Sequence, residues 1–328
     1  MFSRQFQIHG VGAEVRSDCE ELVSHLEHDF HPFLSTLACP ANFRILVRSC
    51  PTPQEKWRRM LKLGRSELYW ARPGRRRVRF FGKAWVDYYY ARGTCEIFCA
   101  DPDAAYESCY FALMSYVGER LDKMGIHRVH GLAIANDRGG VLFLAPSGTG
   151  KSTLALEALR NQGVRILSDD IPLVNRAGEL LGFPQRIALR ERPQIEDAFV
   201  RKFKRQTYGE KFVVGGRYFS DRVALHAPLN RIVLMRRRAG TMDTSIQPQS
   251  RARLTLELLR WLVIGHETPQ IAELFLRFSP DELVSRVAIF ASRVRCLVAL
   301  VRRHNSTVLD LVSDPKINAI QVLSLLPR

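Results

Sequence analysis

An apolar stretch that runs into a glycine-containing turn and then into Lys-Ser-Thr constrains this chain most. It reads Val141-Leu142-Phe143-Leu144-Ala145-Pro146-Ser147-Gly148-Thr149-Gly150-Lys151-Ser152-Thr153. Strand, glycine turn and helix in this order are typical of a loop whose backbone N–H groups surround phosphate. In such a loop the lysine reaches the outer phosphates and the next hydroxyl holds Mg²⁺. The predicted nucleotide-binding residues are Ser147, Gly148, Thr149, Gly150, Lys151, Ser152 and Thr153.

The loop departs from the pattern G-x-x-x-x-G-K-[ST] at its first position. Ala145 stands where the first glycine is usual, and Pro146 follows it. A Cβ atom and a proline ring both disfavour positive φ angles. We therefore expect the chain to enter the loop with ordinary, negative φ values.

Two aspartates follow the next predicted strand. Val164, Ile166 and Leu167 form that strand, and Ser168-Asp169-Asp170 stand at its tip. A strand–helix–strand unit of this length predicts a crossover that brings the tip to the edge of the phosphate loop. There the two carboxylates suit Mg²⁺ binding and proton acceptance from a hydroxyl, whereas the alternative is an ordinary acidic turn.

A histidine precedes the strand that leads into the loop. Residues 128–135 predict a strand, and the Asn136 to Gly140 turn returns the chain as the loop's own strand. The two strands are expected to pair antiparallel, because the turn between them is short. This pairing brings His130 back towards the loop.

Composition limits the class of protein. The chain has 328 residues and a hydrophobic fraction of 46%, enough for one large domain or two. Its first residues lack the layout of a signal peptide, and its longest apolar run is interrupted by Arg293 and Arg295. The seven cysteines include no Cys-x-x-Cys pair. We expect a cytoplasmic protein that does not enter the membrane.

The net charge of +16 comes mostly from arginine. Clusters lie at Arg75 to Arg77, Arg201 to Arg205 and Arg236 to Arg238, and the basic segment from Arg201 to Gly216 predicts a mobile loop. The partner of such a surface is an acidic protein, nucleic acid or only water. The tyrosines Tyr88-Tyr89-Tyr90 allow a base-stacking platform, but packing within a strand explains them as well.

Two domains are expected. Residues 1–100 predict a small α+β domain, with a small antiparallel sheet between Phe43 and Cys99. Asp101-Pro102 begins an amphipathic helix that Gly125 closes, and we place the start of the second domain, residues 101–328, there. Helices are predicted over residues 254–264 and over 270–300 with a break at 279–280, followed by a strand (307–312) and a closing helix (317–326).

These motifs together resemble the catalytic domain of HPr kinase/phosphorylase, a P-loop class related in fold to phosphoenolpyruvate carboxykinase. The resemblance rests on His130-Gly131, the 136–140 turn, Ala145 to Thr153 and Ser168-Asp169-Asp170, with His130 twenty-one residues before Lys151. It implies an α/β fold: a P-loop domain with a mixed sheet, preceded by a small α+β domain and followed by C-terminal helices. It covers residues 106–190 well, and residues 1–100 have no counterpart in it.

The resemblance also implies roles for individual residues. Lys151 would bind the transferred phosphate of ATP, Ser152 and Asp170 would hold Mg²⁺, His130 would contact phosphate, and Asp169 would be the general base on a seryl hydroxyl. HPr kinases are homo-oligomers, so a homo-oligomer is expected.

The residues near the family's later signature depart from it. That signature contains a Glu and an Arg followed by glycines, and in the family it is associated with the reverse, phosphorolytic reaction. Arg190, Glu191 and Arg192 stand near the corresponding place here, but the glycines are missing. A kinase is therefore expected rather than a phosphorylase. Thr153 replaces a glutamate that is common in HPr kinases.

Three functions are consistent with these residues. The first is an ATP-dependent serine kinase that acts on a small acidic protein or peptide, in which case nucleic acid is not a partner. The second is a kinase for a small molecule, and the third is a nucleotide-gated regulatory protein that binds nucleic acid through its basic surface.

Overall fold

The structure, a computed structural model, describes residues 1–35, 41–51, 55–63, 66–70, 72, 74–89, 92–183, 186–206, 209–237, 244–268 and 280–327. The chain divides into two compact units. Unit 1 comprises Met1–Arg120 and Ala188–Tyr218, and unit 2 comprises Leu121–Ile187 and Phe219–Arg328. None of the helices in these ranges is both long enough and apolar enough to span a membrane.

Within the described ranges the strands are β1 Phe2–Ile8, β2 Val11–Ser17, β3 Phe43–Arg48, β4 Arg59–Leu63, β5 Ser66–Tyr69, β6 Arg75–Phe80, β7 Ala84–Tyr89, β8 Thr94–Phe98, β9 Ile126–Arg128, β10 Gly131–Asn136, β11 Gly139–Leu144, β12 Arg165–Asp170, β13 Leu173–Asn175, β14 Glu179–Leu181, β15 Ile187–Leu189, β16 Val200–Arg205, β17 Gly209–Val214, β18 His226–Arg237, β19 Ser245–Gln249 and β20 Ser306–Leu311. The α-helices are α1 Glu20–Asp29, α2 Pro102–Lys123, α3 Lys151–Ala158, α4 Arg251–Leu258, α5 Pro280–Arg303 and α6 Pro315–Leu325, and a π-helix, Leu259–Ile264, continues α4.

Unit 1 is built on an eight-stranded sheet in the order β1-β2-β3-β8-β7-β6-β5-β4. The predicted small antiparallel sheet is confirmed for β4 to β8, which pair antiparallel, but it is wrong in extent and wrong for β3. The sheet also includes β1 and β2, and β3 pairs parallel with both β2 and β8. Helix α1 separates β2 from β3 along the chain, and strands β4 to β7 separate β3 from β8. Both connections are therefore long enough for parallel pairing.

Helix α2 begins where the sequence predicts. Asp101 accepts a hydrogen bond from the backbone N–H of Ala104 at 2.9 Å, and Pro102 opens the helix. Its aromatic side chains pack on unit 1, where the Tyr116 ring stacks on Phe43 with centroids 3.7 Å apart. The division into units therefore falls at Arg120, later than the boundary expected at Asp101.

The arginines of β6 are paired within the sheet. Arg77 donates to the buried Asp87 at 2.7 Å, and Arg75 donates to the same carboxylate at 2.6 Å. Tyr88 is buried, whereas the ring of Tyr89 lies 5.4 Å from the Arg75 guanidinium. Tyr90 lies outside the described residues. The positive charge of this strand is thus largely matched by carboxylates of the same unit.

The basic segment from Arg201 to Gly216 is not the mobile loop that we predicted. It forms the antiparallel hairpin β16–β17. Arg201 donates to Asp29 at 3.0 Å, and the buried Phe203 packs edge-on against Tyr106. The many basic residues obscure the period-two pattern that places Arg201 and Phe203 on one face.

Unit 2 is an α/β unit with a mixed sheet. The sheet runs β12-β10-β11-β18-β14-β13-β9, and β18 also pairs with β20, which pairs with β19. Strands β11, β18 and β20 run parallel, and β10 is antiparallel to both of its neighbours, β11 and β12. Strand β12 therefore runs in the direction of β11, as predicted, but β10 lies between them.

The C-terminal elements follow the prediction where they are described. Helix α4 with its π-helical continuation, strand β20 and helix α6 lie within three residues of the predicted bounds. Of the predicted helical stretch from 270 to 300, residues 270–279 lie outside the described residues. The rest of the stretch lies in α5.

Candidate functional site

Three strand ends of unit 2 meet at one edge of the sheet. Leu132 of β10 lies opposite Phe143 of β11 on one side and opposite Asp169 of β12 on the other. The start of β10, the end of β11 and the end of β12 are therefore adjacent. His130, the loop after β11 and the two aspartates are brought together by this register.

A glycine makes the close approach of β10 to β11 possible. A Cβ atom on Gly131 would lie 2.3 Å from the carbonyl oxygen of Phe143, a distance that real Cβ atoms do not show. Only hydrogen fits at this position. The His130-Gly131 pair therefore combines a side chain at the site with the residue that lets its strand lie so close to β11.

The loop from Ala145 to Thr153 connects β11 to α3. Gly148 and Gly150 have φ angles of +82° and +105°, which only glycine adopts without strain. Thr149 closes the turn by donating from its hydroxyl to the Pro146 carbonyl at 2.8 Å. Neither Ala145 nor Pro146 has a positive φ angle, as expected from their side chains.

Lys151 is the first residue of α3, and its side chain is buried beneath the loop. Its ammonium lies 2.9 Å from His130 Nε2, 2.9 Å from the Ala145 carbonyl and 3.1 Å from the Pro146 carbonyl. An ammonium has three N–H donors, and these three acceptors satisfy them. Burial lowers the pKa of Lys151, and the carboxylates of Asp170, Asp169 and Glu267 oppose this effect.

The contact with Lys151 assigns the tautomer of His130. An ammonium cannot accept a hydrogen bond, so His130 Nε2 accepts and the ring proton resides on Nδ1. Nδ1 lies 3.5 Å from a carboxylate oxygen of Asp170. Burial lowers the pKa of His130, with Asp170 opposing and Lys151 adding to the shift. The imidazole is therefore neutral, and its Nδ1 side faces the Asp170 carboxylate.

The two aspartates have different surroundings. Asp169 is 3% exposed, whereas about half of the Asp170 side chain, 51%, is accessible. Asp170 also has a φ angle of +83°, in the region that non-glycine residues rarely adopt. Strain at the end of a strand next to a loop of this kind is typical of functional positions.

Sequence reasoning missed Glu267. The Ser147 N–H of the loop donates to Glu267 Oε2 at 2.6 Å, and the same oxygen lies 3.3 Å from His130 Nε2. Burial acts to raise the pKa of this carboxyl, but the hydrogen bonds from Ser147 and the charge of Lys151 oppose it, and the pKa is lowered. No local motif marks this glutamate, which is 120 residues away from Ser147 in sequence.

The π-helix before Glu267 also supports His130. The Trp261 ring lies 5.2 Å from the His130 ring, and the His130 N–H donates to the Trp261 carbonyl at 3.4 Å. π-Helices are rare and are often found at functional sites. The sequence predicts a helix over residues 254–264 but gives no indication that Trp261 lies against His130.

A buried charge cluster holds the π-helix in place. Arg293 of α5 donates to both carboxylate oxygens of Asp122, at 2.6 and 2.7 Å, and also to the Leu262 carbonyl. Arg128 donates to Asp122 at 2.9 Å. Burial acts to raise the pKa of Asp122, but the two guanidinium groups outweigh it and hold the pKa well below its usual value. The cluster thus fixes β9, α5 and the π-helix together.

A cavity of about 450 Å³ lies beside the loop on the β18 side. Its walls come from residues 144–149, the end of β18, α4 and the π-helix. Arg236 and Arg237 line it, so two members of the predicted arginine cluster lie next to the loop, whereas Arg238 lies outside the described residues. Arg253 and Arg260 complete the basic part of the wall.

The predicted magnesium ligands lie on different elements of unit 2. Ser152 lies in the first turn of α3 and Asp170 at the end of β12, and oxygen donors of these types suit Mg²⁺ together with phosphate oxygens. Across the described ranges no three His, Cys, Asp or Glu residues form a metal-binding group. Residues 190–192 belong to unit 1, where Arg192 forms an ion pair with Asp197.

No family model matches the chain, and no curated protein matches it in sequence. Among solved structures, the Hpr(Ser) kinase/phosphatase from Coxiella burnetii matches with 12% sequence identity and a TM-score of 0.28. The match covers 60% of this chain and 93% of that one. Identity and TM-score are both too low for this match to indicate what the chain does.

Proposed function

We propose that this protein is an ATP-dependent kinase that transfers the γ-phosphate to a serine hydroxyl of a small acidic protein or peptide. One observation carries the proposal. The Lys151 ammonium, the neutral His130 ring and the carboxylates of Asp169 and Asp170 meet at one sheet edge, beside a glycine loop. Phosphoryl transfer needs a cationic cradle for phosphate and a carboxylate for the attacking hydroxyl, side by side.

Each residue then has a role in the transfer. The loop N–H groups and Lys151 bind the phosphates, and Asp169 accepts the serine proton as its oxygen attacks the γ-phosphorus. Ser152 and Asp170 would hold Mg²⁺, which neutralises charge on the phosphates when it is bound. The bond between the γ-phosphorus and the β,γ-bridging oxygen breaks, and ADP leaves. The net charge of +16 suits an acidic acceptor.

The test uses γ-labelled ATP with Mg²⁺ and synthetic peptides that carry one serine among acidic residues. The same peptides with alanine instead of serine are the control. We expect label on serine peptides only. Asp169→Asn lowers transfer about 100-fold or more because the base is lost, while ATP affinity stays near the wild-type value. Lys151→Met weakens ATP binding itself, and the exposed Lys316→Met is its matched control.

Other results would assign a different function. Label on small hydroxyl compounds but on none of the peptides would replace the protein acceptor by a metabolite. Transfer that survives Asp169→Asn would remove the role given to Asp169. We also propose that the protein is a homo-oligomer. Light scattering should then give a mass of at least two chains.

A further inference from the structure

The cavity and the catalytic carboxylates lie on opposite sides of the phosphate loop. The sheet order β12-β10-β11-β18 puts Asp169 and Asp170, at the end of β12, two strands to one side of β11. The cavity lies on the other side, against the end of β18 and α4. The loop itself contributes residues 144–149 to the cavity wall.

Phosphoryl transfer gives these two sides different roles. The attacking oxygen and the leaving oxygen lie roughly in line on opposite sides of the phosphorus. If the acceptor hydroxyl reaches Asp169 on the β12 side, the part of the donor that leaves extends towards β18. The cavity therefore lies where the rest of the phosphate donor has to go.

The cavity wall suits an uncharged, flat ligand better than a further anion. Arg236 is paired with Asp310 at 3.0 Å, and Arg253 is paired with Glu257 at 3.4 Å, so much of the positive charge is already matched. The Glu257 carboxylate accepts a hydrogen bond from the Trp261 ring N–H at 2.8 Å and also lines the cavity. Carboxylate oxygens can accept hydrogen bonds from hydroxyl and amino groups.

One guanidinium is already held flat. The Arg260 guanidinium lies 4.4 Å from the centre of the Trp261 ring, and Arg260 is exposed. One of its faces thus rests on an aromatic ring while the other is open to a ligand. Guanidinium groups stack on flat aromatic rings, and nucleobases are such rings.

We propose that this cavity binds the nucleoside part of the phosphate donor, with the base stacked on Arg260. The inference rests on the proposed function and adds the place where the base and ribose bind. A cavity of about 450 Å³ is within the range of sites that enclose small ligands. Leu234, Met235 and Val308 supply its apolar surface.

The test compares two probes, ATP and inorganic tripolyphosphate, by titration calorimetry with Mg²⁺. Tripolyphosphate has the phosphates but no nucleoside. The wild-type protein should bind ATP more tightly, and Arg260→Ala should weaken ATP binding about fivefold or more, as expected for a lost stacking contact. Tripolyphosphate binding should change less than twofold, because long-range charge effects are screened by salt.

Arg251→Ala is the matched control, since it removes the same charge from the start of α4 at an exposed position outside the cavity. Arg260→Lys keeps the charge but loses the flat guanidinium, and it should behave like Arg260→Ala. An equal loss of affinity for both probes, or no loss for either in both Arg260 variants, overturns the nucleoside assignment. A wild-type protein that binds tripolyphosphate as well as ATP also overturns it but leaves phosphate binding intact. Failure to bind either probe would instead refute the proposed kinase function and, with it, this inference.

Discussion

Lys151 Nζ lies 2.9 Å from His130 Nε2, so the buried ammonium and the buried imidazole share one hydrogen bond. The bond requires a neutral histidine. It joins the residue just before β10 to the first residue of α3, and His130 Nδ1 faces an Asp170 carboxylate oxygen at 3.5 Å.

Acid should therefore destabilise the protein through His130. Burial lowers the pKa of this histidine below its usual 6.5, so the unfolded chain takes up the proton first as the pH falls. The native state is favoured fully above 6.5 and loses stability between that pH and the lower native pKa. The free energy of unfolding, measured with urea at about pH 7.5 and about pH 5.5, should fall less in His130→Gln than in wild type. An equal pH dependence in His130→Gln and wild type would contradict this assignment.

Glu267 should compete with phosphate for the loop. Its carboxylate accepts the Ser147 N–H at 2.6 Å, a donor that a bound phosphate would also use. Glu267→Gln removes the negative charge and keeps the side-chain shape. Tripolyphosphate should then bind about three- to tenfold more tightly, equivalent to roughly 1 kcal/mol. Calorimetry measures this change, with the exposed Asp221→Asn as the control for lost negative charge. Weaker binding in Glu267→Gln would show that the glutamate assists the site instead.

Gly131→Ala should be strongly destabilising. The new Cβ would lie 2.3 Å from the Phe143 carbonyl, and the paired strands cannot separate without breaking their hydrogen bonds. We expect a loss of about 2–3 kcal/mol, typical of overpacking. Gly163→Ala, at a φ of +81° in open space, should cost only about 1 kcal/mol. Urea denaturation of both variants tests this order, and the reverse order would show that the strands are further apart than the structure indicates.

Asp122→Asn should be more damaging than its small change in shape suggests. It leaves the buried guanidinium groups of Arg293 and Arg128 without their shared carboxylate, at a cost of about 3–5 kcal/mol. Replacing Arg293 as well, in Asp122→Leu with Arg293→Leu, should recover part of this loss because fewer buried charges remain unmatched. A double variant less stable than Asp122→Asn would rule out unmatched charge as the cause. The unfolding midpoint in urea is the measurement.

Much of unit 2 was predictable because its signals are local. The strand–loop–helix at Lys151 and the turn before β11 each follow from residues a few positions apart. In unit 1 the same local reading found the Asp-Pro start of α2 but missed the parallel pairing of β2, β3 and β8, which depends on connections rather than on strand residues. It failed again at β16 and β17, where arginines and lysines conceal the alternation that buries Phe203.

Short motifs were enough to predict the glycine loop between β11 and α3, the approach of His130 to it and the carboxylates after β12, because backbone geometry and strand order follow from neighbouring residues. They could not predict that Glu267 accepts a hydrogen bond from the loop N–H, that the Trp261 ring lies against His130 or that four arginines line the cavity beside the loop. These contacts join residues that are far apart in sequence, and packing of the π-helix on α5 and β9 brings them together. No pattern of neighbouring residues contains that information.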